Sequence, residues 1–182
     1  VIAGSYGGRV AIWTIDGTVV LSMRASEKNL SSIALSPDAT TLAASSLGGE
    51  IGVWKIPSGT LSHRLTGHEV AATSLRFVHG GARLISLGYE GTIKLWDLDS
   101  GGLHHVVDLR AKAPRRLIVS QDETRAALGL EGLVQVWDAE SWMPIEELPI
   151  EPKATGGLAF STDGRHLAAG AADGQIRVWT IS

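Results

Sequence analysis

The sequence contains no cysteine, so neither disulfides nor thiolate metal sites can hold it together, and side-chain packing with backbone ladders must suffice. The absence does not fix a compartment, although a cytoplasmic setting is favoured. No apolar run approaches the roughly 18 residues of a membrane helix, and no signal peptide opens the chain. There is no basic run, and the net charge is −3. Neither nucleic acid nor a membrane is therefore expected as a partner. Enzyme signatures are missing as well. There is no G-x-x-x-x-G-K-[ST], and Ala3-Gly4-Ser5-Tyr6-Gly7 misses G-x-S-x-G by its first glycine. The histidines, His63, His68, His79, His104, His105 and His166, form no H-E-x-x-H pattern. No catalytic residue, cofactor site or metal site is assigned. Tyrosine and phenylalanine occur only twice each, against six tryptophans.

What is present is periodic. The chain has 182 residues, 44% hydrophobic and 19% charged, which is the composition of a globular protein with a sizeable core. Trp13, Trp54, Trp96, Trp137 and Trp179 are separated by 41, 42, 41 and 42 residues, and each closes an apolar-x-apolar-Trp run. Only Trp142 stands outside the series. Such a period marks a repeat protein. The clearest copy runs from Leu84 to Asp97. There Ile93 and Leu95 alternate with Lys94, as in a half-buried strand, after a tight turn at Glu90-Gly91.

Four strand-like runs fit into the third period, at Ala72 to Phe77, Arg83 to Leu87, Thr92 to Asp97 and Leu103 to Asp108. The first two are joined by a turn that recurs as Ser36-Pro37-Asp38, His79-Gly80-Gly81, Ser120-Gln121-Asp122 and Ser161-Thr162-Asp163-Gly164. No segment has a helical period. Four short antiparallel strands per roughly 42 residues is the blade of a β-propeller, an all-β fold. His104-His105 opens an outer strand, so the two rings are expected on opposite faces. Asp97, Asp99 and Asp108 fall in strand ends and turns and read as solubilising charge. Asn29-Leu30-Ser31 is a formal glycosylation sequon, meaningful only in a secreted protein.

Gly67-His68, Phe77, Ser86, Gly91 and Trp96-Asp97 together resemble the signature of the WD40 repeat, and the resemblance extends over the whole chain. In that family a histidine, a serine or threonine, a turn aspartate and the tryptophan form a hydrogen-bonded set inside each blade. Carried over by position, the set is His68, Ser86, Glu90 and Trp96, with glutamate in place of aspartate. The other repeats depart further. Ala3, Ala44, Ala127 and Ala169 stand where serine would, and Gly7 and Gly48 where aspartate would. Asp173 with Trp179 keeps half a set, and Trp137-Asp138 only the dipeptide. These blades are expected to rely on apolar packing.

The resemblance implies three full blades, at residues 25–65, 66–108 and 109–149, between partial blades at 1–24 and 150–182. The first partial blade has strands at Val1 to Gly4, Val10 to Ile15 and Val19 to Arg24. It lacks an inner strand, and the last lacks an outer one, so the two do not complete each other. The chain is thus expected to be the C-terminal part of a partial ring, about two blades short if the ring has seven. Its exposed sheet edges favour self-association.

The residues seven before each repeat tryptophan are Tyr6, Leu47, Tyr89, Leu130 and Ala172, and both tyrosines of the chain fall in this series. Large apolar residues at hairpin tips form a candidate protein-binding rim. By position they match the family's top-face contact residues, as do Asn29, Ser31, Thr73 and Arg115 at the starts of inner strands. Of Arg115 and Arg116, only one is expected to face the channel mouth. The resulting reading is a non-catalytic scaffold that binds a protein or peptide through one rim. The alternative is a sensory or regulatory propeller attached to an upstream catalytic domain, such as a kinase or protease.

Overall fold

The computed structural model describes residues 1–109, 114–151 and 157–181. They fall into two compact units, Val1–Asp108 and Leu109–Ser182. The first unit contains three antiparallel meanders. Sheet I is β1 (Ile2–Gly4), β2 (Arg9–Trp13) and β3 (Val19–Arg24). Sheet II is β4 (Leu30–Leu35), β5 (Thr41–Ser46), β6 (Ile51–Lys55) and β7 (Thr60–Leu65). Sheet III is β8 (Ala72–Val78), β9 (Arg83–Gly88), β10 (Thr92–Asp97) and β11 (Leu103–Asp108). The second unit holds sheet IV, formed by β12 (Arg116–Val119), β13 (Arg125–Leu130), β14 (Leu133–Asp138) and β15 (Pro144–Pro149). It also holds sheet V, formed by β16 (Leu158–Phe160), β17 (His166–Gly170) and β18 (Ile176–Thr180). A 3₁₀ turn at His79–Gly81 is the only helical element among the described residues. The all-β expectation of four-stranded antiparallel sheets holds.

The half-buried reading of the tryptophan strands does not hold for β6, β10 and β14, whereas β2 and β18 keep an exposed side. Lys94 and Gln135, the polar members of their runs, are only 8% and 6% exposed, and Gly52 is buried too. The cause is stacking of sheet on sheet. Sheet II packs Ala43, Ile51, Val53 and Leu65 on one face against Leu75, Phe77, Leu84 and Trp96 of sheet III. Its other face sets Leu42, Ala44 and Trp54 against Val10, Ile12 and Leu21 of sheet I. A strand inside such a stack has no solvent face, and each fully buried leucine or isoleucine contributes about 1.5–3 kcal/mol. In the second unit Ile118, Val134, Val136 and Leu148 of sheet IV meet Leu158, Leu167 and Ala169 of sheet V in the same way.

The turns between first and second strands are built by side chains. Ser36 Oγ donates to Asp38 at 2.6 Å and accepts the Thr41 N–H at 2.9 Å, while Asp38 accepts the Thr40 N–H. Ser120 with Asp122 and Ser161 with Asp163 repeat the arrangement. The Ser36 hydroxyl, with help from Thr40, draws the Asp38 carboxyl down to about 2. Asp97 also has a structural task, contrary to its reading as surface charge. It accepts the N–H and Oγ of Ser100, as Asp138 does from Ser141. The bulge at His104, where Leu95 pairs with His105 but Trp96 with Leu103, interrupts the alternation that would separate the two histidine rings. Both histidines are exposed.

Candidate functional site

Sheet III contains a continuous polar chain. Trp96 Nε1 donates to Ser86 Oγ at 2.8 Å, Ser86 Oγ meets His68 Nε2 at 2.6 Å, and His68 Nδ1 bonds Glu90 Oε1. Thr92 Oγ1 donates to the same carboxylate oxygen at 2.6 Å and accepts from Lys94 Nζ at 3.2 Å. The glutamate therefore does what the family's aspartate does. Burial pulls His68 below its ordinary value and outweighs the opposing Glu90. Glu90 is raised by burial but lowered more by the bonds from His68 and Thr92. The pair is thus a neutral imidazole donating to a carboxylate. Its serine–histidine–carboxylate order resembles a nucleophilic triad, but Ser86 is 0% exposed and its oxygen accepts the indole N–H. No substrate reaches it, and the set braces Trp96 instead.

Elsewhere among the described residues the set is absent. Trp54 is 8% exposed and packs on sheet I without a serine beneath it. Trp13 and Trp179 are half-buried. Asp173 accepts from Arg177 and the Gln175 N–H. In sheet IV the pairing corrects the count along the chain. Trp96 pairs with Leu84, twelve residues earlier, whereas Trp137 pairs with Ala126, eleven earlier. The position of Ser86, opposite the residue two before tryptophan, therefore belongs to Leu128 rather than Ala127. Trp137 Nε1 is left buried with no partner among the described residues.

The same slip corrects the candidate rim. Leu130 is 3% exposed and ends β13, because the β13–β14 hairpin turns on Glu131-Gly132 alone. The other hairpins between second and third strands turn on three residues, Tyr6-Gly7-Gly8, Leu47-Gly48-Gly49, Tyr89-Glu90-Gly91 and, with only a small side chain at its tip, Ala172-Asp173-Gly174. There the seventh residue before tryptophan is a true tip, and Tyr6, Leu47 and Tyr89 are 83%, 56% and 65% exposed. Gly8, Gly49 and Gly91 close these turns at φ 72°, 80° and 91°, a region that favours glycine.

Hydrogen bonds and one close backbone approach connect the Tyr6, Leu47 and Tyr89 tips through the loops between them. Gly8 O accepts the N–H groups of Ala25 and Ser26, and Asn29 O accepts that of Leu47, so residues 25–29 run between the Tyr6 and Leu47 turns. Gly49 lies so near His68 O that a Cβ would come within 2.5 Å, and Ala71 O accepts the Tyr89 N–H. Residues 67–71, with Val70 40% exposed, thus bridge Leu47 and Tyr89. Asn29 is exposed within the first of these loops. Ser31 and Thr73 are the extra residues of two bulges, at the start of β4 and of β8, a feature no sequence pattern announced. Their hydroxyls are committed inward, Ser31 to Ala72 O at 2.8 Å and Thr73 to Leu87 O at 3.3 Å. Arg115 and Arg116 are both exposed on the second unit.

Three segments, 17–55, 59–97 and 154–180, match the family model "WD domain, G-beta repeat". The chain belongs to the WD40-repeat family. Each WD40 match in the first unit begins in or just before an outer strand and ends at the next tryptophan strand, so the sequence repeat is offset from the sheet. Sheet IV, with the shortened hairpin, lies outside the matches. The chain is 32% identical to Autophagy-related protein 16 of Arabidopsis thaliana over 100 residues, 54% of this chain and 20% of that protein. It is 30% identical to Small ribosomal subunit protein RACK1y of Oryza sativa subsp. japonica, over 80% of this chain and 45% of that protein. It is 26% identical to human Apoptotic protease-activating factor 1, over 86% of this chain and 12% of that protein. The chain thus spans less than half the length of each.

Proposed function

We propose that the chain is a protein-interaction platform and that the face carrying Tyr6, Leu47 and Tyr89 is where a protein partner binds. The observation that carries this reading is the exposure of three large side chains at successive hairpin tips, held by backbone bonds to the loops between them. Tyrosine offers a large apolar area with a polar tip and few rotors, which suits an interface anchor. Membership of the WD40 family supports the general role. Val70 and Asn29 extend the face, and Arg115 supplies a separate exposed cation on the second unit. Ser31 and Thr73 shape the inner strands beneath it. The test is a pull-down in which the chain is compared with a Tyr6→Ser, Leu47→Ser, Tyr89→Ser triple variant and an Ile15→Ser control. Ile15 is 99% exposed in the β2–β3 turn, at the other end of β2 from Tyr6. A partner kept by the control and lost by the triple variant supports the reading. Equal recovery by all three refutes it.

A further inference from the structure

Sheet II has a cleft where sheet III has its polar chain. Ala44 pairs with Gly52 just as Ser86 pairs with Lys94, Gly48 occupies the turn position of Glu90, and Ser26 lies 28 residues before its tryptophan, as His68 does. Four side chains are therefore replaced by small ones or none. The space they vacate is a cleft of about 320 Å³ within the first unit. Trp54 is part of its lining. Its ring lies across Gly52, where a Cβ would stand 2.0 Å from Cη2, so only glycine permits this ring position.

The lining is charged. Arg24, Lys28 and Arg64 line it together with Glu27 and Glu50. Both carboxylates are already engaged, Glu27 with Arg24 at 3.1 Å and Glu50 with Arg64. Lys28 is different. Its Nζ lies 2.7 Å from where a Cβ of Gly48 would stand, and it has no carboxylate partner among the described residues. An entering cation meets carboxylates already neutralised by arginines, whereas an entering anion meets an ammonium with no carboxylate partner among the described residues. In a chain of net charge −3 this is a local exception to the overall repulsion of acidic partners. The cleft also adjoins the candidate rim, because Gly48 follows Leu47 in one turn and residues 25–29 separate Leu47 from Tyr6.

We propose that this cleft receives the carboxylate side chain of an acidic residue in a protein partner, bonded by Lys28. The partner's methylenes would lie on Trp54 and a neighbouring apolar residue on Leu47 or Tyr6. The proposal rests on the platform reading given above, and it adds the charge class of the partner.

The probe is a displayed library of random dodecapeptides selected on the chain. Selected peptides are expected to be enriched in aspartate or glutamate beside apolar residues. A glutamate-to-glutamine change in a selected peptide, or Lys28→Glu in the chain, is expected to weaken binding about tenfold or more, as for loss of one charged bond. Lys28 is exposed, and a circular-dichroism melt of the variant monitors its fold. Peptides that need Tyr6, Leu47 and Tyr89 but show no acid preference, or bind the Lys28→Glu variant equally, overturn the cleft proposal and leave the platform standing. A library from which nothing is selected above background counts against both.

Discussion

The indole N–H of Trp96 ends on the hydroxyl of Ser86 at 2.8 Å, both residues being buried, while in sheet IV Leu128 takes the register position of Ser86 and the buried Trp137 Nε1 has no partner among the described residues. Two tryptophans at the same place in their repeats are thus held by different means. Ser86→Ala or His68→Ala is expected to cost on the order of 1–3 kcal/mol, because each strands a buried polar partner. Trp54→Ala, where no hydroxyl lies beneath the ring, is expected to cost roughly 3–5 kcal/mol through lost packing. Urea midpoints of the three variants check this. Near-zero shifts for all would show that the tryptophans are peripheral.

Acid should weaken the fold in two stages. His68 lies below its ordinary value in the folded chain, so as pH falls through the unfolded histidine range, near 6.5, the unfolded state takes up the proton first and stability drops. Glu90 is also depressed, and so is Asp38, at about 2, so a second loss follows as pH passes below the ordinary carboxylate range. The stability contributed by these groups is present above pH 7 and lost downwards. Denaturant midpoints from pH 7.5 to 5 are expected to fall for the chain and to fall less steeply for His68→Gln. An identical slope in the variant would show that His68 is not the titrating group.

Trp142 sits at φ 55°, in the left-handed region. The residues five after Trp54 and Trp96, Gly59 and Gly101, occupy the same region at 68° and 71°. Trp142→Gly relieves backbone strain of about 1 kcal/mol but forfeits a side chain only 5% exposed. Packing is the larger quantity, since truncating a buried tryptophan costs roughly 3–5 kcal/mol. The net expectation is a loss of about 2–4 kcal/mol, measured by thermal or urea unfolding. A stabilised variant would mean that strain, not packing, dominates at this turn.

Tyr89→Ala is expected to reduce partner binding by at least about 1 kcal/mol and to leave the unfolding midpoint nearly unchanged, because the side chain is 65% exposed. Ile15→Ala serves as the control. Lys94 does not, because it is buried and bonded to Thr92 beside Glu90. Binding by titration calorimetry and stability by denaturation separate the two effects. A large stability loss with unchanged affinity would make Tyr89 a packing residue.

Sequence alone determined the five-fold tryptophan period and the strand order within each sheet, because both depend on alternation and short turns, which are local. The polar set of His68, Ser86, Glu90 and Trp96 came from the resemblance to the WD40 repeat, carried over by position. Tertiary structure decided what depends on pairing and stacking. A hairpin one residue shorter buries Leu130 and puts Leu128 at the register position that Ser86 holds in sheet III, although the count back from tryptophan is unchanged. Stacking of sheet on sheet buries Lys94 and Gln135, which alternation alone assigns to solvent. The cleft beside Trp54 arises because Ser26, Ala44, Gly48 and Gly52, scattered along the chain, are brought together by strand register. A void is a property of what surrounds it, and no single stretch of sequence contains its walls.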